Sequence, residues 1–194
     1  MITLDITLGA GRRLWLTSDT HFGHANIIKY CARPFASVEE MDVALCLGWN
    51  DCVAEDDVVI HLGDFAYKSR GRVADIAGCL KGRKYILCGN HDRYEDLMAS
   101  GAFLEVVWHR IGVLKESPVA VDLVVNDVRC AVLSHYPQVV WVGKDALIPH
   151  FYGHRHTGAV KPRRERDSGS LDVGVDNCGY RPIEFWEAVK NVGD

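Results

Sequence analysis

The eight residues Tyr85-Ile86-Leu87-Cys88-Gly89-Asn90-His91-Asp92 decide how this chain is read. Four apolar residues in a row fit a buried strand, and the next four present a glycine, an amide, an imidazole and a carboxylate at its end. Glycine there tolerates a positive φ and lets a ligand approach the backbone closely. A Gly-Asn pair alone marks no more than a turn, so the weight of the reading comes from repetition. Four other apolar runs end in the same way. Leu14-Trp15-Leu16 leads to Ser18-Asp19-Thr20-His21-Phe22-Gly23-His24, and Val58-Val59-Ile60 leads to His61-Leu62-Gly63-Asp64. The run 128–133 leads to Ser134-His135-Tyr136-Pro137, and His150-Phe151-Tyr152 leads to Gly153-His154-Arg155-His156.

Between the first of these runs the periodicity is helical. Residues 26–31 read as a short helix stopped ahead of Pro34. Ser37-Val38-Glu39-Glu40 has capping-box spacing and opens an amphipathic helix to about Cys52. The stretches 71–80 and 94–99 read as two more helices, the second closed by Gly101. Residues 2–8 and 12–17 read as strands joined at Gly9-Ala10-Gly11. After residue 102 the pattern turns to β, with strands over 103–114, 119–125 and 128–133 and a tight turn at Asn126-Asp127. A loop with room for a short helix precedes residue 150, 161–169 reads as an exposed basic loop, 171–175 as a strand and 183–189 as a short closing segment. No repeat or low-complexity linker divides the chain, so one α/β domain over residues 1–194 is expected.

Composition narrows the function by exclusion. A chain of 194 residues that is 48% hydrophobic can bury a full core. A net charge of −4 gives no general attraction for nucleic acid and leaves room only for a local basic groove. The seven cysteines are scattered and odd in number, and several, such as Cys88 and Cys130, sit inside apolar runs. That usage suits a reduced, cytoplasmic protein better than a disulfide scaffold. Residues 1–8 alternate as a strand where a secretory leader would carry an unbroken apolar core, and no run reaches membrane-spanning length.

Open α/β sheets bind ligands outside the carboxyl ends of their strands. With the five strand ends on a shared edge, Asp19, His21, Asp64, Asn90, His91, His135, His154 and His156 converge. Two carboxylates, an amide and several imidazoles at one point are metal-ligand chemistry, and they are too many for one tetrahedral zinc. They suit two divalent ions that clamp the attacking and leaving oxygens of a phosphoester from about 3.5–4 Å apart. Oxygen and nitrogen ligation without thiolate fits Mn²⁺, Fe, Zn²⁺ or Ni²⁺, with Mn²⁺ favoured here. Each segment alone has an ordinary reading as a cap or turn; their ordered recurrence after five strands is what favours a site.

The set Asp19-Thr20-His21, Gly63-Asp64, Gly89-Asn90-His91-Asp92, His135 and Gly153-His154-Arg155-His156 resembles the calcineurin-like metallophosphoesterase superfamily. Asp19 to Ile28 with Arg33-Pro34-Phe35, Val173-Gly174-Val175-Asp176 and Gly179-Tyr180-Arg181-Pro182-Ile183 is similar to a small bacterial and phage branch of it. The resemblance implies a four-layer α/β-β/α sandwich of two mixed β-sheets with a dinuclear site at the sheet edges. It implies Asp19, His21 and His156 on a first ion, Asp64 bridging, and Asn90, His135 and His154 on a second. His91 would be catalytic, lying beside the ions and protonating the leaving oxygen, a task that suits imidazole. The implied reaction is in-line attack by a metal-bridging hydroxide on a small or nucleotide-like phosphodiester. A phosphomonoesterase or nuclease remains an alternative on the same site. A metal-binding interaction scaffold is the alternative from another class, and the presence of His91 with all seven ligand positions argues against it. Small phosphoesterases of this type often pair, which makes a homodimer an expected assembly.

Several neighbours carry two readings each. His24 and Asn26 could touch substrate phosphate or support the ligands from behind, or simply start a helix. Arg33 and Arg181 are candidates for clamping phosphate, against the commoner surface ion pair. Asp92 could orient His91 or cap the next helix. His61, three residues before Asp64, reads as a packed histidine rather than a ligand. Gly63-Asp64 continues as Phe65-Ala66-Tyr67-Lys68, without the second Asp-Arg pair of the superfamily's protein phosphatases, which disfavours a phosphoprotein substrate.

Overall fold

A computed structural model of the chain describes residues 2–67, 71–107, 120–156 and 169–193. One sheet is built from β2 (Leu14–Thr17), β3 (Val58–His61), β4 (Arg83–Leu87), β5 (Glu105–Val107) and β10 (Ile183–Glu184), in the order β10-β2-β3-β4-β5. Strands β2 to β5 run parallel, and β10 pairs antiparallel with β2 at the edge. The other sheet has the order β1-β6-β7-β8-β9, from β1 (Ile2–Ile6), β6 (Val121–Val125), β7 (Val128–Leu133), β8 (His150–Tyr152) and β9 (Ser170–Asp172). Its β6–β7 pair is an antiparallel hairpin, and its other neighbours are parallel.

Strand alternation sorts the core into two layers. Leu14 and Leu16 of β2, Val58 and Ile60 of β3, and Leu87 of β4 face Leu4, Ile6, Leu123, Leu133 and Phe151 of the other sheet. Their sequence neighbours Trp15, Val59 and Ile86 point the opposite way, into a second cluster with helical residues. Those come from α1 (Ala25–Tyr30), α2 (Val38–Cys52), α3 (Val73–Gly78) and α4 (Tyr94–Ser100), represented by Ile27, Met41, Leu45, Trp49, Val73, Ala77 and Leu97. The last helix, α5 (Phe185–Gly193), inserts Phe185 and Ala188 into the inter-sheet core. The result is the expected α/β sandwich of two mixed sheets.

Local chemistry accounts for the boundaries. Ser37 caps α2 by accepting from Glu40 N at 3.2 Å, while Glu40 Oε2 reaches back to Ala36 N at 2.7 Å, one residue beyond the usual capping box. Asn126 and Asp127 take φ of 49° and 66°, the left-handed pair that a two-residue hairpin turn needs. Gly101, at φ 63°, closes α4. The helix expected over 71–80 is shorter, and the closing segment is a two-residue strand followed by a helix. Of the strand expected over 103–114, β5 covers Glu105–Val107, and 108–114 lies outside the described residues, as does the basic loop over 161–168. Among the described residues no helix is long and apolar enough to cross a membrane.

Because β2, β3 and β4 are parallel, their carboxyl ends open on one edge. Ser18 bridges to Gly174, with Val175 N donating to Ser18 O at 3.0 Å, so the end of the second sheet is brought against that edge.

Candidate metal centre

The loops after β2 and β3 are stitched together by backbone. Leu62 N donates to Thr17 O at 2.8 Å, Asp19 N to Gly63 O at 2.9 Å and His21 N to Asp64 O at 3.0 Å. Asp19, His21 and Asp64 sit at φ of 59°, 52° and 58°, and His154 and His156 at 70° and 46°. A left-handed conformation costs a side-chain-bearing residue roughly 1–3 kcal/mol. Five of the seven expected ligands share it, and the cross-loop hydrogen bonds hold three of them there. Strain of this kind gathers where a corner must aim side chains inward.

Gly89 is needed at this junction for closeness; its φ is not among the positive values. A Cβ there would meet Asp64 N at 2.6 Å and His135 Cε1 at 2.8 Å. Asp92 makes no helix-capping bond and supports a ligand from behind instead. Its Oδ2 accepts from Asp64 N at 2.7 Å and Gly89 N at 2.9 Å, and its Oδ1 from Phe65 N at 3.0 Å. It therefore staples the turn after β3 to the turn after β4, while α4 has Arg93 at its N-cap position with no side-chain cap.

The side chains fall into two groups, Asp19, His21 and His156, and Asp64, His135 and His154. Within each group the ligand atoms all lie within 4.8 Å of one another. Asp64 stands between the groups, its Oδ2 3.5 Å from His21 Nε2 and 3.5 Å from His135 Nε2. Asp19 Oδ1 is 3.6 Å from His156 Nε2. Such gaps are too wide for hydrogen bonds. Asp19 Oδ1 and both ring nitrogens of His21 are buried without a hydrogen-bond partner, a costly arrangement unless an ion satisfies them.

The tautomer of His135 sharpens this. Its Nδ1 lies 2.9 Å from Leu62 O, which can only accept, so Nδ1 carries the hydrogen. Burial pushes the imidazole down to about 4, which keeps it neutral and leaves Nε2 a bare lone pair. That lone pair faces Asn90 Oδ1 at 3.0 Å, two acceptors with no hydrogen between them. A divalent cation reconciles the pair, and the O/N donor set fits one.

The remaining expected residues are placed as follows. Asn90 and His91 are exposed. The His91 ring is 5.3 Å from that of His21 and 6.2 Å from that of His24, and its backbone N–H donates to Asp64 Oδ1 at 2.8 Å. His24 occupies the N-cap position of α1 with no side-chain cap bond. Its buried ring stacks on Tyr67 at 3.9 Å and lies 5.4 Å from that of His21. Asn26 is exposed on the first turn of α1. Arg181 is not brought to the site; it lines a surface cavity of about 370 Å³ with Trp15, Cys52 and Glu187. Arg33 is buried beneath the Asp19–Thr20 backbone and pairs with Asp176. His61 is packed, its Nδ1 accepting from Gly63 N at 3.1 Å and its Nε2 donating to Thr20 Oγ1 at 3.0 Å. Sequence reasoning missed Tyr67 and gave Asp176 no task, although Asp176 accepts from His156 Nδ1 at 2.7 Å. Cys31 also lies in reach of that pair.

Charge is poorly tolerated in this pocket without a cation. Burial, aided by Asp92 and Asp19, pushes Asp64 up to about 9, and burial pushes Asp19 up to about 7. Burial drives His21 far below its ordinary range and opposes charge on His156 too, but there Asp176, Cys31 and Asp19 prevail and raise the imidazole to about 10. A group with a raised folded pKa holds extra proton in the folded state, so stability falls as pH climbs between the unfolded and folded values. Above about pH 6.5 ordinary histidine is neutral when unfolded as well, and the buried neutral imidazoles drop out of the balance. Asp19, Asp64 and His156 then all act in one direction. Metal-free protein is expected to lose thermal stability between pH 6.5 and 9, each kcal/mol lowering Tm by roughly 2–4 °C in a chain of this size. Mn²⁺ should reverse the loss, because ions replace the protons. Melting curves with chelator and with Mn²⁺ test this; a chelated sample whose Tm rises over that interval contradicts it.

Residues 12–167 match the model of the calcineurin-like phosphoesterase family. The chain is 46% identical over 187 residues to the uncharacterised protein MJ1445 of Methanocaldococcus jannaschii, covering 92% of this chain and 90% of that protein. It is 38% identical over 186 residues to the Gene 66 protein of Mycobacterium phage L5, covering 85% and 87%. The phage relative supports the phage side of the expected branch. The crystal structure of AQ665 from Aquifex aeolicus, a protein of unknown function, matches with a TM-score of 0.64 at 22% identity, over 93% of this chain and 100% of that one. That likeness speaks for the fold alone.

Proposed function

The chain belongs to the calcineurin-like phosphoesterase family, and from that premise we propose that it hydrolyses phosphodiesters with a pair of divalent ions, Mn²⁺ foremost. The observation that carries the reading is Asp64 Oδ2 lying 3.5 Å from a ring nitrogen of each ligand group. Asp19, His21 and His156 would hold one ion, Asn90, His135 and His154 the other, with Asp64 shared. When bound, the ions would supply Lewis-acid charge for the phosphoryl oxygens and would lower the pKa of a water so that hydroxide is available near neutral pH.

The chain's own residues do the rest. His91 stands exposed beside His21 and would protonate the leaving oxygen. Asp92 fixes both turns through three backbone hydrogen bonds, so the groups it aligns need not reorganise during reaction. The stacked pair His24 and Tyr67 forms a wall beside His91, with Tyr67 6.0 Å from it ring to ring. Neither candidate phosphate clamp stands free there: every N–H of Arg33 is engaged, and Arg181 lies elsewhere. All seven cysteines are free thiols, which supports a reducing, cytoplasmic setting.

The test is a panel of aryl diesters, aryl monoesters and cyclic nucleotides with Mn²⁺-loaded protein, read by phenolate or nucleoside release. Diesters are expected to give the highest kcat/KM. Turnover of monoesters alone would overturn the diesterase reading, and two bound ions with no turnover at all would favour the scaffold.

A further inference from the structure

We propose that Arg33 and Asp176 are positioning residues that set the metal affinity of the half-site formed by Asp19, His21 and His156. Asp176 Oδ2 accepts from His156 Nδ1 at 2.7 Å, which fixes the proton on Nδ1 and turns Nε2 toward Asp19 Oδ1, 3.6 Å away. A carboxylate behind a ligating imidazole sets both its tautomer and its ring orientation.

Asp176 is itself held by a fork. Arg33 Nε donates to its Oδ1 at 2.8 Å and Nη2 to its Oδ2 at 2.9 Å. The other N–H groups of Arg33 go to Thr20 O at 3.0 Å, Asp19 O at 2.7 Å and Met41 Sδ at 3.4 Å. Guanidinium has five N–H donors and all are used, so none is left for a phosphate. One buried cation therefore ties the backbone that carries Asp19, held at φ 59°, to the carboxylate that aims His156. Lysine, a point charge, cannot reproduce this planar fork.

Stability alone is a weak reason for such a pair, since a buried ion pair roughly breaks even against apolar packing. Placement is the better reason. The guanidinium also cancels the charge of Asp176, so the imidazole is oriented without adding a net negative charge beside the ions.

The inference rests on the dinuclear reading of the site, and metal titration separates the two. Mn²⁺ binding is measured by calorimetry on the full chain, wild type against Asp176→Asn, Asp176→Glu and Arg33→Lys. The wild type is expected to take two equivalents. Asp176→Asn and Arg33→Lys should keep one equivalent at native affinity and weaken the other by about 10–100-fold. The retained tight equivalent reports that the variant is folded. Asp176→Glu, which keeps the carboxylate, should recover part of the loss. Hydrolysis lost at limiting Mn²⁺ should return on adding Mn²⁺, with KM for the diester unmoved. Two equivalents in the wild type, with both affinities unchanged in Asp176→Asn and Arg33→Lys, would overturn the positioning role and leave the dinuclear reading standing. Equal weakening of both equivalents would also overturn it. A wild type that binds no ion would bring down the dinuclear reading and this inference with it.

Discussion

Alanine in place of His91 is expected to lower kcat on phosphodiesters by about 10²–10⁴-fold while both metal equivalents stay bound. The separation follows from where the residue's contacts lie. Its link to the ligand set is a backbone N–H to Asp64 Oδ1 at 2.8 Å, which alanine keeps. Its ring stands outside both groups of ligand atoms and 5.3 Å from the ring of His21, so truncation removes a proton donor and no ligand. The size of the loss should track the leaving group. An activated aryl oxygen departs with little help and should show the lower end of the range, whereas an alkyl or ribose oxygen needs its proton and should show the upper end. Metal content and a leaving-group series on the variant check this. Unimpaired turnover with both ions bound would take His91 out of the chemistry.

What could be seen in the sequence was what local pattern encodes. Unbroken apolar runs in β2, β3 and β4 mark strands buried on both faces, and Leu14, Leu16, Val58, Ile60 and Leu87 do face the other sheet while Trp15, Val59 and Ile86 face helices. Strand ends followed by Asp, Asn or His could be found for the same reason, because a strand must stop where the chain turns polar. What stayed hidden depends on contacts across long stretches of chain. Arg33 and Asp176 are 143 residues apart, and nothing near Arg33 in sequence announces a buried fork; charged residues are rarely buried unless paired, so a surface or substrate role was the sensible expectation. The stapling task of Asp92 stayed hidden because its three donors include Asp64 N, 28 residues upstream, and only the register of β3 against β4 brings them together. The left-handed conformations of Asp19, His21 and Asp64 leave no compositional trace either, since those residue types are common in ordinary turns.

Asp64→Asn is expected to set stability against function. The amide keeps the shape of the side chain and can still accept from His91 N, but it removes the charge that the two ions would share. Affinity should fall at both half-sites, by more than the roughly 10–100-fold that loss of a supporting residue costs, and hydrolysis at wild-type Mn²⁺ concentrations should vanish with it. In metal-free protein the sign reverses. Burial, then Asp92 and Asp19, push the Asp64 carboxyl up to about 9, so the folded wild type holds a proton that the unfolded chain has released above about pH 4. The contribution of Asp64 to wild-type stability therefore falls with pH across that window, and an amide has no proton to lose. Its N–H can also donate toward His21 Nε2 or His135 Nε2, each 3.5 Å from the oxygen it replaces. Metal-free Asp64→Asn should melt above metal-free wild type at pH 8, by a margin larger than at pH 5. Saturating Mn²⁺ should invert the order, since an ion at 100 times its Kd adds about 2.7 kcal/mol to the protein that binds it and almost nothing to the one that does not. The two melting temperatures must cross on adding metal. A variant less stable than wild type with and without Mn²⁺ would mean that Asp64 stabilises the fold by itself, and the case for a shared ion would lose its main support.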